Sequence, residues 1–341
     1  MHYATIMQTR LLQLIAASAA FAGLALTPVD NGAGQAARRK PKPAPHAARK
    51  AAPLPCGDYV AFQVLLDRQG FSPGQIDGRP GANFAHALAA FQNEKKLTAA
   101  PQPDCDTWKA LEGESTEATT TYTITDADVK GPFEESIPRN LVEQSKLPAL
   151  GYTSAAELLG ERFHASPALL QRLNPGTSFT AGQTIKVPNV IPFDVNAKPA
   201  AGPAAAGVEI QVTKDDSSLR VAKPDGTVVF FAPVTTGSEH DPLPTGDYKV
   251  TTVGWKPPFH YNPDLFWDAK ATDEKATIKP GPNNPVGVLW IDLSLEHYGI
   301  HGTPEPGNVG HTESHGCVRL TNWDAARVAA LVKPGTRVLF R

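Results

Sequence analysis

The spacing of apolar residues in the last part of the chain is typical of β-strands. Val208–Val212 alternates apolar and polar residues, as a half-buried strand does. The strands predicted from such runs, and from the turn residues between them, are Val208–Val212, Ser218–Ala222, Thr227–Val234, Val286–Asp292 and Thr336–Phe340. One helix is expected among them, from Thr321 to Leu331. Strands with a single late helix predict a mostly β domain, sandwich-like or barrel-like, over residues 207–341.

The first half of the chain instead places apolar residues at the spacing of helices. This period is found in residues 59–68 and in residues 83–96, where Asn83 stands at a position suited to cap the helix. A third, shorter helix is expected at residues 107–111. Residues 56–113 are therefore predicted to form a small module of three helices.

A second small module is expected over residues 121–190, because its predicted elements follow a different order. A strand comes first, two short helices follow, and a strand closes the module, which predicts an α+β unit. Residues 37–55 consist mostly of Ala, Pro, Lys and Arg, which cannot bury an apolar core and therefore predict a disordered linker. The chain is thus expected to be multidomain.

Residues 1–36 have the pattern of a secretory signal peptide. A basic end precedes the apolar run Leu11–Leu26, which is short for a bilayer span and suits the hydrophobic part of a signal. Small residues offer two cleavage sites, and an uncleaved anchor is the alternative. Since no later run is long enough to cross a bilayer, we expect an exported protein of the periplasm or cell wall, with no stable transmembrane segment after removal of the signal.

Composition narrows the choice of partner. A chain of 341 residues suffices for two or three domains, and the formal net charge of −2 leaves no basic footprint of the kind that nucleic-acid binding requires. We therefore expect no nucleic-acid partner.

Two residues near the end of the chain carry the candidate chemistry. Cys317 follows Gly316 and precedes Val318 and Arg319. His301 lies sixteen positions before Cys317. A thiol is a weak nucleophile until a base takes its proton, and imidazole titrates near the pH at which that transfer is useful. Gly316 allows the backbone to turn beside the sulfur, so that N–H groups can face an oxyanion. A lone Cys is more often a small buried hydrophobe, but its polar flanks disfavour that interpretation here.

Two pairs of histidines at four-residue spacing form the other candidate site. They are His297 with His301 and His311 with His315, and such pairs bind zinc when they share one helix face. Glycines within and after the first pair make a helix improbable there. We therefore expect neither a metal nor another cofactor.

The run Tyr298-Gly-Ile-His-Gly-Thr303, followed by Ser314-His-Gly-Cys-Val-Arg319, resembles the signature of the L,D-transpeptidase catalytic domain of the YkuD type. The resemblance implies that Cys317 is the nucleophile and His301 its general acid and base. It also implies that Gly302 orients His301 through its carbonyl group.

The other signature residues have supporting roles in this resemblance. Ser314 and Gly316 would shape the turn, and His315 would support the loop that carries the nucleophile rather than act as a second base. Arg319 is implied to hold a carboxylate of the substrate, with a structural salt bridge as the alternative.

The activity implied is acyl transfer on the stem peptides of peptidoglycan, with a thioester intermediate and a 3–3 cross-link as product. Three alternatives stay open. Water as the acceptor would make the protein an L,D-carboxypeptidase, and a lipoprotein lysine would make it an attachment enzyme. The third alternative is a wall-binding scaffold whose catalytic domain is silent.

Residues 56–113 resemble a second family, the peptidoglycan-binding-domain-1 module. The residues that carry this resemblance are Gly70-Phe71, Pro73-Gly74, Ile76-Asp77-Gly78, Phe91-Gln92, Leu97 and Thr107-Trp108. The resemblance implies a non-catalytic anchor on the cell wall.

Residues 121–190 resemble a LysM module, which binds N-acetylglucosamine polymers. Arg172-Leu-Asn-Pro175 and Ala181-Gly-Gln-Thr-Ile185 carry the resemblance. The segment Asp126–Leu150 departs from it, because the family has only a few residues between the first strand and the first helix. A degenerate, structural LysM is the alternative. The expected partner of the whole chain is peptidoglycan, through its stem peptides and its glycan strands.

The three cysteines are an odd number, which in an oxidising compartment leaves one thiol over. If Cys56 and Cys105 pair, the remaining thiol is Cys317, the nucleophile that the resemblance implies. The alternative is that all three are reduced.

Overall fold

The computed structural model describes residues 53–100, 102–200 and 207–341. The predicted signal peptide at 1–36 and most of the predicted linker at 37–55 lie outside these residues. These described residues belong to one compact unit. Among the described residues, no helix is long and apolar enough to cross a membrane.

The three helices predicted for the first module are present, as α1 (Tyr59–Arg68), α2 (Ala82–Glu94) and α3 (Cys105–Ala110). Asp58 and Asp104 cap α1 and α3 through their side chains. The expectation that Asn83 caps α2 was wrong. The helix begins after Gly81, and the Asn83 amide instead donates a hydrogen bond to the Val309 carbonyl oxygen at 2.8 Å.

A disulfide bond joins Cys56 to Cys105, with 5.4 Å between their Cα atoms. This leaves Cys317 as the free cysteine of the described residues.

The next segment contains the predicted strand, helix, helix and strand, and two further helical turns. Strands β1 and β2 pair antiparallel, and the two predicted helices are α6 and α7. The turns α4 and α5 lie in the segment Asp126–Leu150, for which the sequence predicted no element. The bounds are β1 (Thr119–Thr123), α4 (Asp126–Val129), α5 (Leu141–Gln144), α6 (Ala155–Arg162), α7 (Pro167–Leu173) and β2 (Thr184–Pro188).

The last part of the chain is mostly β, as predicted, and its main sheet is a half-barrel. Eight of its strands form one sheet in the order β11-β10-β9-β6-β12-β3-β4-β5. A separate hairpin, β7 with β8, covers one end. The bounds are β3 (Glu209–Thr213), β4 (Ser218–Ala222), β5 (Val228–Pro233), β6 (Gly246–Trp255), β7 (Phe259–Tyr261), β8 (Ala276–Ile278), β9 (Leu289–Leu293), β10 (Gly299–His301), β11 (Val318–Arg319), α8 (Asn322–Leu331) and β12 (Arg337–Phe340).

The predicted strand Val286–Asp292 begins too early. A turn occupies its first residues: the Gly287 N–H donates to the Asn284 carbonyl at 2.7 Å, and Gly287 has a φ of 61°. Strand β9 therefore starts at Leu289, and this start sets the register of the strands that carry the site.

The three segments pack against one another through shared apolar clusters. Val64 and Ile76 of the first segment share a cluster with Leu159 and Leu169 of the second. In the same way Phe231 of the sheet is buried among the side chains of α1 and α2. The helical segments thus form a buttress on one side of the sheet.

Candidate active site

The register of three neighbouring strands brings the candidate side chains to one face of the sheet. Strand β10 pairs antiparallel with β9 and parallel with β11, so that His301 lies opposite both Trp290 and Arg319. Paired residues of neighbouring strands point to the same face, and so do residues two apart along a strand. Cys317 stands two positions before Arg319, directly at the start of β11. The thiol and the imidazole therefore face the same side.

The loop that carries Cys317 is held by backbone hydrogen bonds to residues 235–237. The Thr235 N–H donates to the Arg319 carbonyl at 3.0 Å, and the Arg319 N–H donates back at 2.9 Å. The Ser314 N–H donates to the Thr236 carbonyl at 2.9 Å, and the Ser314 hydroxyl donates to the Cys317 carbonyl at 2.6 Å. Ser314 thus contributes two hydrogen bonds to the turn that carries Cys317.

Gly316 occupies a backbone conformation that other residues adopt only with strain. Its φ is 100°, and a Cβ at this position would press on the ring of Tyr298. The glycine lets the nucleophile loop pass close to that ring, which in turn forms part of the wall beside Cys317.

The surroundings of the Cys317 sulfur favour the neutral thiol. The thiol donates a long hydrogen bond of 3.7 Å to the His297 carbonyl. Burial raises the pKa of Cys317, although the backbone of Gly299 and the charge of Arg319 both act in the opposite direction. The thiol thus requires a base before it can act as a nucleophile.

His301 is held in one orientation and one tautomer. Its Nδ1 lies 2.6 Å from the Gly302 carbonyl oxygen, and since a carbonyl only accepts, Nδ1 carries the hydrogen. Nε2 is then the basic nitrogen. The ring stacks on the indole of Trp290, with 5.3 Å between centroids and 15° between planes. Burial, with the charge of Arg319 adding to it, lowers the pKa of His301 to about 3, so that the imidazole is neutral at neutral pH.

The start of helix α8 supports the Gly302 carbonyl. The Asn322 side chain accepts a hydrogen bond from the Val288 N–H at 3.1 Å and donates one to the Pro282 carbonyl at 3.2 Å. A Cβ on Gly302 would overlap the Asn322 side-chain oxygen, and so would a Cβ on Gly287. Two glycines therefore allow Asn322 to lie against the turn that orients His301.

Arg319 has no carboxylate partner at salt-bridge distance among the described residues. Its Nε is buried and lacks a hydrogen-bond partner in this part of the chain. Burial lowers the pKa of Arg319, and the nearest acidic influences are Cys317 and Glu305. Within the described residues Arg319 thus forms no structural salt bridge, and its guanidinium faces the cavity.

His315 contacts the segment between β7 and β8. Its Nε2 lies 2.8 Å from a carboxylate oxygen of Asp268, and its ring packs edge-on against Phe266. It joins the nucleophile loop to the segment between β7 and β8. Among the described residues, no group of three or more His, Cys, Asp or Glu side chains is placed to hold a metal ion.

The site opens into a cavity of about 920 Å³. His301, Cys317, Arg319 and His315 all line it, whereas Gly302, Ser314 and Gly316 lie behind its wall. Several lining residues were not predicted from the sequence because distant segments supply them. They include Trp290 and, from the segment before α5, Arg139 and Asn140.

The domain that carries this site is similar to known proteins. Residues 207–339 match the family model of the YkuD domain, described as the L,D-transpeptidase catalytic domain. The chain is 27% identical over 185 residues to "Putative L,D-transpeptidase YkuD" of Bacillus licheniformis, which is 53% of this chain and 90% of the relative. It is 28% identical over 178 residues to the protein of the same name in Bacillus subtilis, or 52% and 87% of the two chains.

Among solved structures, the chain resembles an L,D-transpeptidase from Mycobacterium smegmatis. The sequence identity is 20% and the TM-score 0.32, and the match covers 39% of this chain and 58% of the other. The family match and the curated relatives support a YkuD-type L,D-transpeptidase catalytic domain at residues 207–339.

Proposed function

We propose that this protein is a cysteine-dependent L,D-transpeptidase that acts on peptidoglycan stem peptides and forms 3–3 cross-links through a thioester acyl-enzyme. The observation that carries the proposal is the placement of Cys317 and His301 on one face of the sheet, in one cavity. The match of residues 207–339 to the L,D-transpeptidase catalytic domain supports the same reaction class.

In the first half-reaction, the Cys317 sulfur attacks the carbonyl carbon that precedes a terminal D-alanine. The thiol proton passes to Nε2 of His301, the nitrogen left free by the bond from Nδ1 to Gly302. When the tetrahedral intermediate collapses, the C–N bond breaks and His301 returns the proton to the departing amine. Cys317 then carries the acyl group as a thioester.

In the second half-reaction, an amine of another stem peptide attacks the thioester. His301 accepts a proton from that amine, the new amide bond forms, and the sulfur leaves and regains a proton. A neutral imidazole is suited to both half-reactions, since it must accept a proton at the start of each.

We further propose that the mature chain works outside the cytoplasm, where its substrate lies. Residues 56–113 and 121–190 would hold it on the wall, as a peptidoglycan-binding module and a LysM-like module. The disulfide between Cys56 and Cys105 supports this location, because such bonds persist in oxidising compartments.

The first prediction concerns the catalytic pair. The purified protein, incubated with disaccharide-tetrapeptide, is expected to give a covalent acyl adduct on Cys317 and a cross-linked dimer, both detected by mass spectrometry. Cys317→Ala should abolish the adduct, because the other two cysteines are joined in a disulfide and cannot replace its thiol. His301→Ala should slow adduct formation by roughly 10²–10⁴-fold, the usual contribution of general acid–base catalysis.

His311→Ala is the matched control, since His311 lies in the same loop but does not line the cavity. It should form adduct at the wild-type rate. Tripeptide as the sole product would reassign the protein as a carboxypeptidase, and transfer only to a peptide lysine would favour lipoprotein attachment. A folded wild-type protein that forms no adduct at all would favour the silent scaffold.

A further inference from the structure

The segment that distinguishes residues 121–190 from a LysM module forms part of the active-site cavity. The later part of that segment, residues 131–150, packs against the β7–β8 hairpin. Leu150 is fully buried with Tyr261 and Ile278, and Leu141 and Leu147 pack onto the same cluster. This apolar contact fixes the segment to the domain that carries Cys317.

Backbone and side-chain hydrogen bonds strengthen the attachment. The Asn283 N–H donates to the Leu150 carbonyl at 3.0 Å, and the Asn283 side chain donates to the Gly151 carbonyl at 2.8 Å. Gly281 passes so close to the Leu150 backbone that a Cβ there would overlap it. Residues 131–150 therefore act as a fixed wall rather than a loose loop.

The acidic groups on this side of the cavity already have partners. The Asp273 carboxylate accepts hydrogen bonds from the Tyr261 hydroxyl at 3.1 Å, the Lys270 N–H at 3.2 Å and the Asn140 amide at 3.3 Å. The Asp268 carboxylate is bonded to His315. Neither carboxylate lies at salt-bridge distance from Arg139.

Arg139 lies in the same wall and is left without such a partner. Its side chain is exposed and lines the cavity that also contains Cys317. Within the described part of the chain, it forms neither a salt bridge nor a side-chain hydrogen bond. A guanidinium presents a planar fork of donors that matches a carboxylate in two-point contact. This side of the cavity therefore presents a cation, without an ion-pair partner among the described residues, to an anionic ligand.

We propose that Arg139 binds a carboxylate of the substrate peptide, and that residues 131–150 are a specificity wall which the first half of the chain contributes to the active site. This assignment rests on the proposed function, because it takes the substrate to be a peptide with free carboxylates. The carboxylate belongs either to the donor peptide that acylates Cys317 or to the acceptor peptide that attacks the thioester.

The test compares a stem tetrapeptide with analogues in which each free carboxylate is converted to a primary amide. In Arg139→Gln, kcat/KM for the acid peptide should fall by roughly tenfold or more, as expected for the loss of a hydrogen bond to a charged group. For the amide analogue that lacks the carboxylate bound by Arg139, kcat/KM should differ by less than about twofold between wild type and Arg139→Gln. Arg139→Lys should restore part of the preference.

Lys146→Gln is the matched control, because Lys146 lies in the same segment, pairs with Glu143 and does not line the cavity. Lys146→Gln should leave the ratio of kcat/KM for the acid peptide to kcat/KM for each amide analogue unchanged. The rate at which iodoacetamide alkylates Cys317 should be equal in wild type and Arg139→Gln, which shows that the thiol and its surroundings are intact.

Single-turnover acylation and transfer to a second peptide distinguish the two sources of the carboxylate. A loss in acylation assigns it to the donor, and a loss confined to transfer assigns it to the acceptor. If wild type and Arg139→Gln show the same ratio of acid to amide in both steps, the assignment of Arg139 is wrong while the proposed function stands. If wild type forms no adduct with any of the peptides, the proposed function itself fails.

Discussion

At the scale of single residues, burial makes both members of the catalytic pair neutral. It raises the pKa of the Cys317 thiol and lowers that of the His301 imidazole to about 3. Arg319 acts on both groups in the same sense, because a nearby positive charge lowers the pKa of a thiol and of an imidazole alike. The resting site therefore contains a thiol and an imidazole rather than an ion pair, and the proton moves only when substrate arrives.

A pH prediction follows for the free enzyme. Because the pKa of His301 is lowered from the ordinary value of 6.5 to about 3, protonation of this ring should not reduce acylation between pH 7 and pH 5. Because the pKa of Cys317 is raised, alkylation by iodoacetamide should still increase above pH 9. The measurements are the pH profile of the alkylation rate and an NMR titration of the His301 ring.

The control for this profile is His301→Ala, in which the late rise of the alkylation rate should persist, because burial and not the neutral imidazole raises the pKa of the thiol. A plateau of alkylation below pH 7 in the wild type would contradict the prediction, since it would require a thiolate stabilised by imidazolium.

The residues of the site differ in how far the sequence could predict them. Cys317 and His301 lie in short local patterns, and the chemistry of a thiol and an imidazole is visible in their residue types. Trp290 and Arg139 were missed because they reach the cavity through strand register and through packing of a distant segment. Nothing within a few positions of either residue signals that role.

At the scale of elements, the strands and helices with strong periodicity were the ones predicted with correct bounds. Tyr59–Arg68 and Ser218–Ala222 appear as predicted. The turns α4 and α5 have only four residues each, too few for an apolar period to develop. The start of β9 was misplaced because Val286 and Val288 extend the apolar run, whereas the turn ending at Gly287 interrupts the strand.

The contact between helix α8 and the turn after β10 gives a prediction at this scale. Gly302→Ala should lower the free energy of unfolding by about 1–3 kcal/mol, because the added methyl group overlaps the Asn322 side chain in a packed site. The shifted Gly302 carbonyl should also reduce acylation. In an Asn322→Ala background the same substitution should cost less, because the overlapping atom is gone.

A double-mutant cycle by urea denaturation measures this coupling. Gly254→Ala in strand β6 is the control, since a Cβ there meets only one atom, at an ordinary 3.7 Å. Equal costs of Gly302→Ala in both backgrounds would show that Asn322 does not restrict the turn.

At the scale of the whole molecule, the sequence predicted modules in a row, and the structure shows how closely they contact one another. The apolar patterns defined each segment because they depend on near neighbours along the chain. The packing between segments depends on surfaces that are assembled only after folding, such as the face of α1 that meets α8. The module boundaries therefore stay predictions, while the contacts across them are visible.

A buried polar cluster joins the three segments. The Asp67 carboxylate of α1 accepts two hydrogen bonds from Arg327 of α8, both at 2.8 Å, and lies 3.2 Å from Nδ1 of His164. The His164 ring stacks on Trp323, with 5.1 Å between centroids. Although burial opposes the charge on Asp67, the combined attraction of Arg327 and His164 holds the pKa of this carboxyl well below its ordinary value. The Asp67–Arg327 pair is thus ionised, and the carboxylate accepts two hydrogen bonds from the guanidinium.

Removing one member of this cluster should weaken the molecule as a whole. Asp67→Asn removes the carboxylate that accepts both hydrogen bonds from Arg327, and leaves the guanidinium with Asp324 at 3.7 Å. Breaking a buried pair in this way typically costs about 3–5 kcal/mol. Since α1 and α8 belong to different predicted modules, we expect wild type to unfold in one transition when followed by tryptophan fluorescence in urea, and the variant to unfold in one transition at lower urea.

Asp106→Asn, on the exposed side of α3, is the control and should leave the midpoint unchanged. Asp67→Leu combined with Arg327→Met should be less destabilised than Asp67→Asn, because neither member of this pair is then left without the other. Two separate transitions in the wild type, with the catalytic domain unfolding at the same urea concentration in Asp67→Asn, would show instead that the modules are stable independently and that this cluster does not couple them.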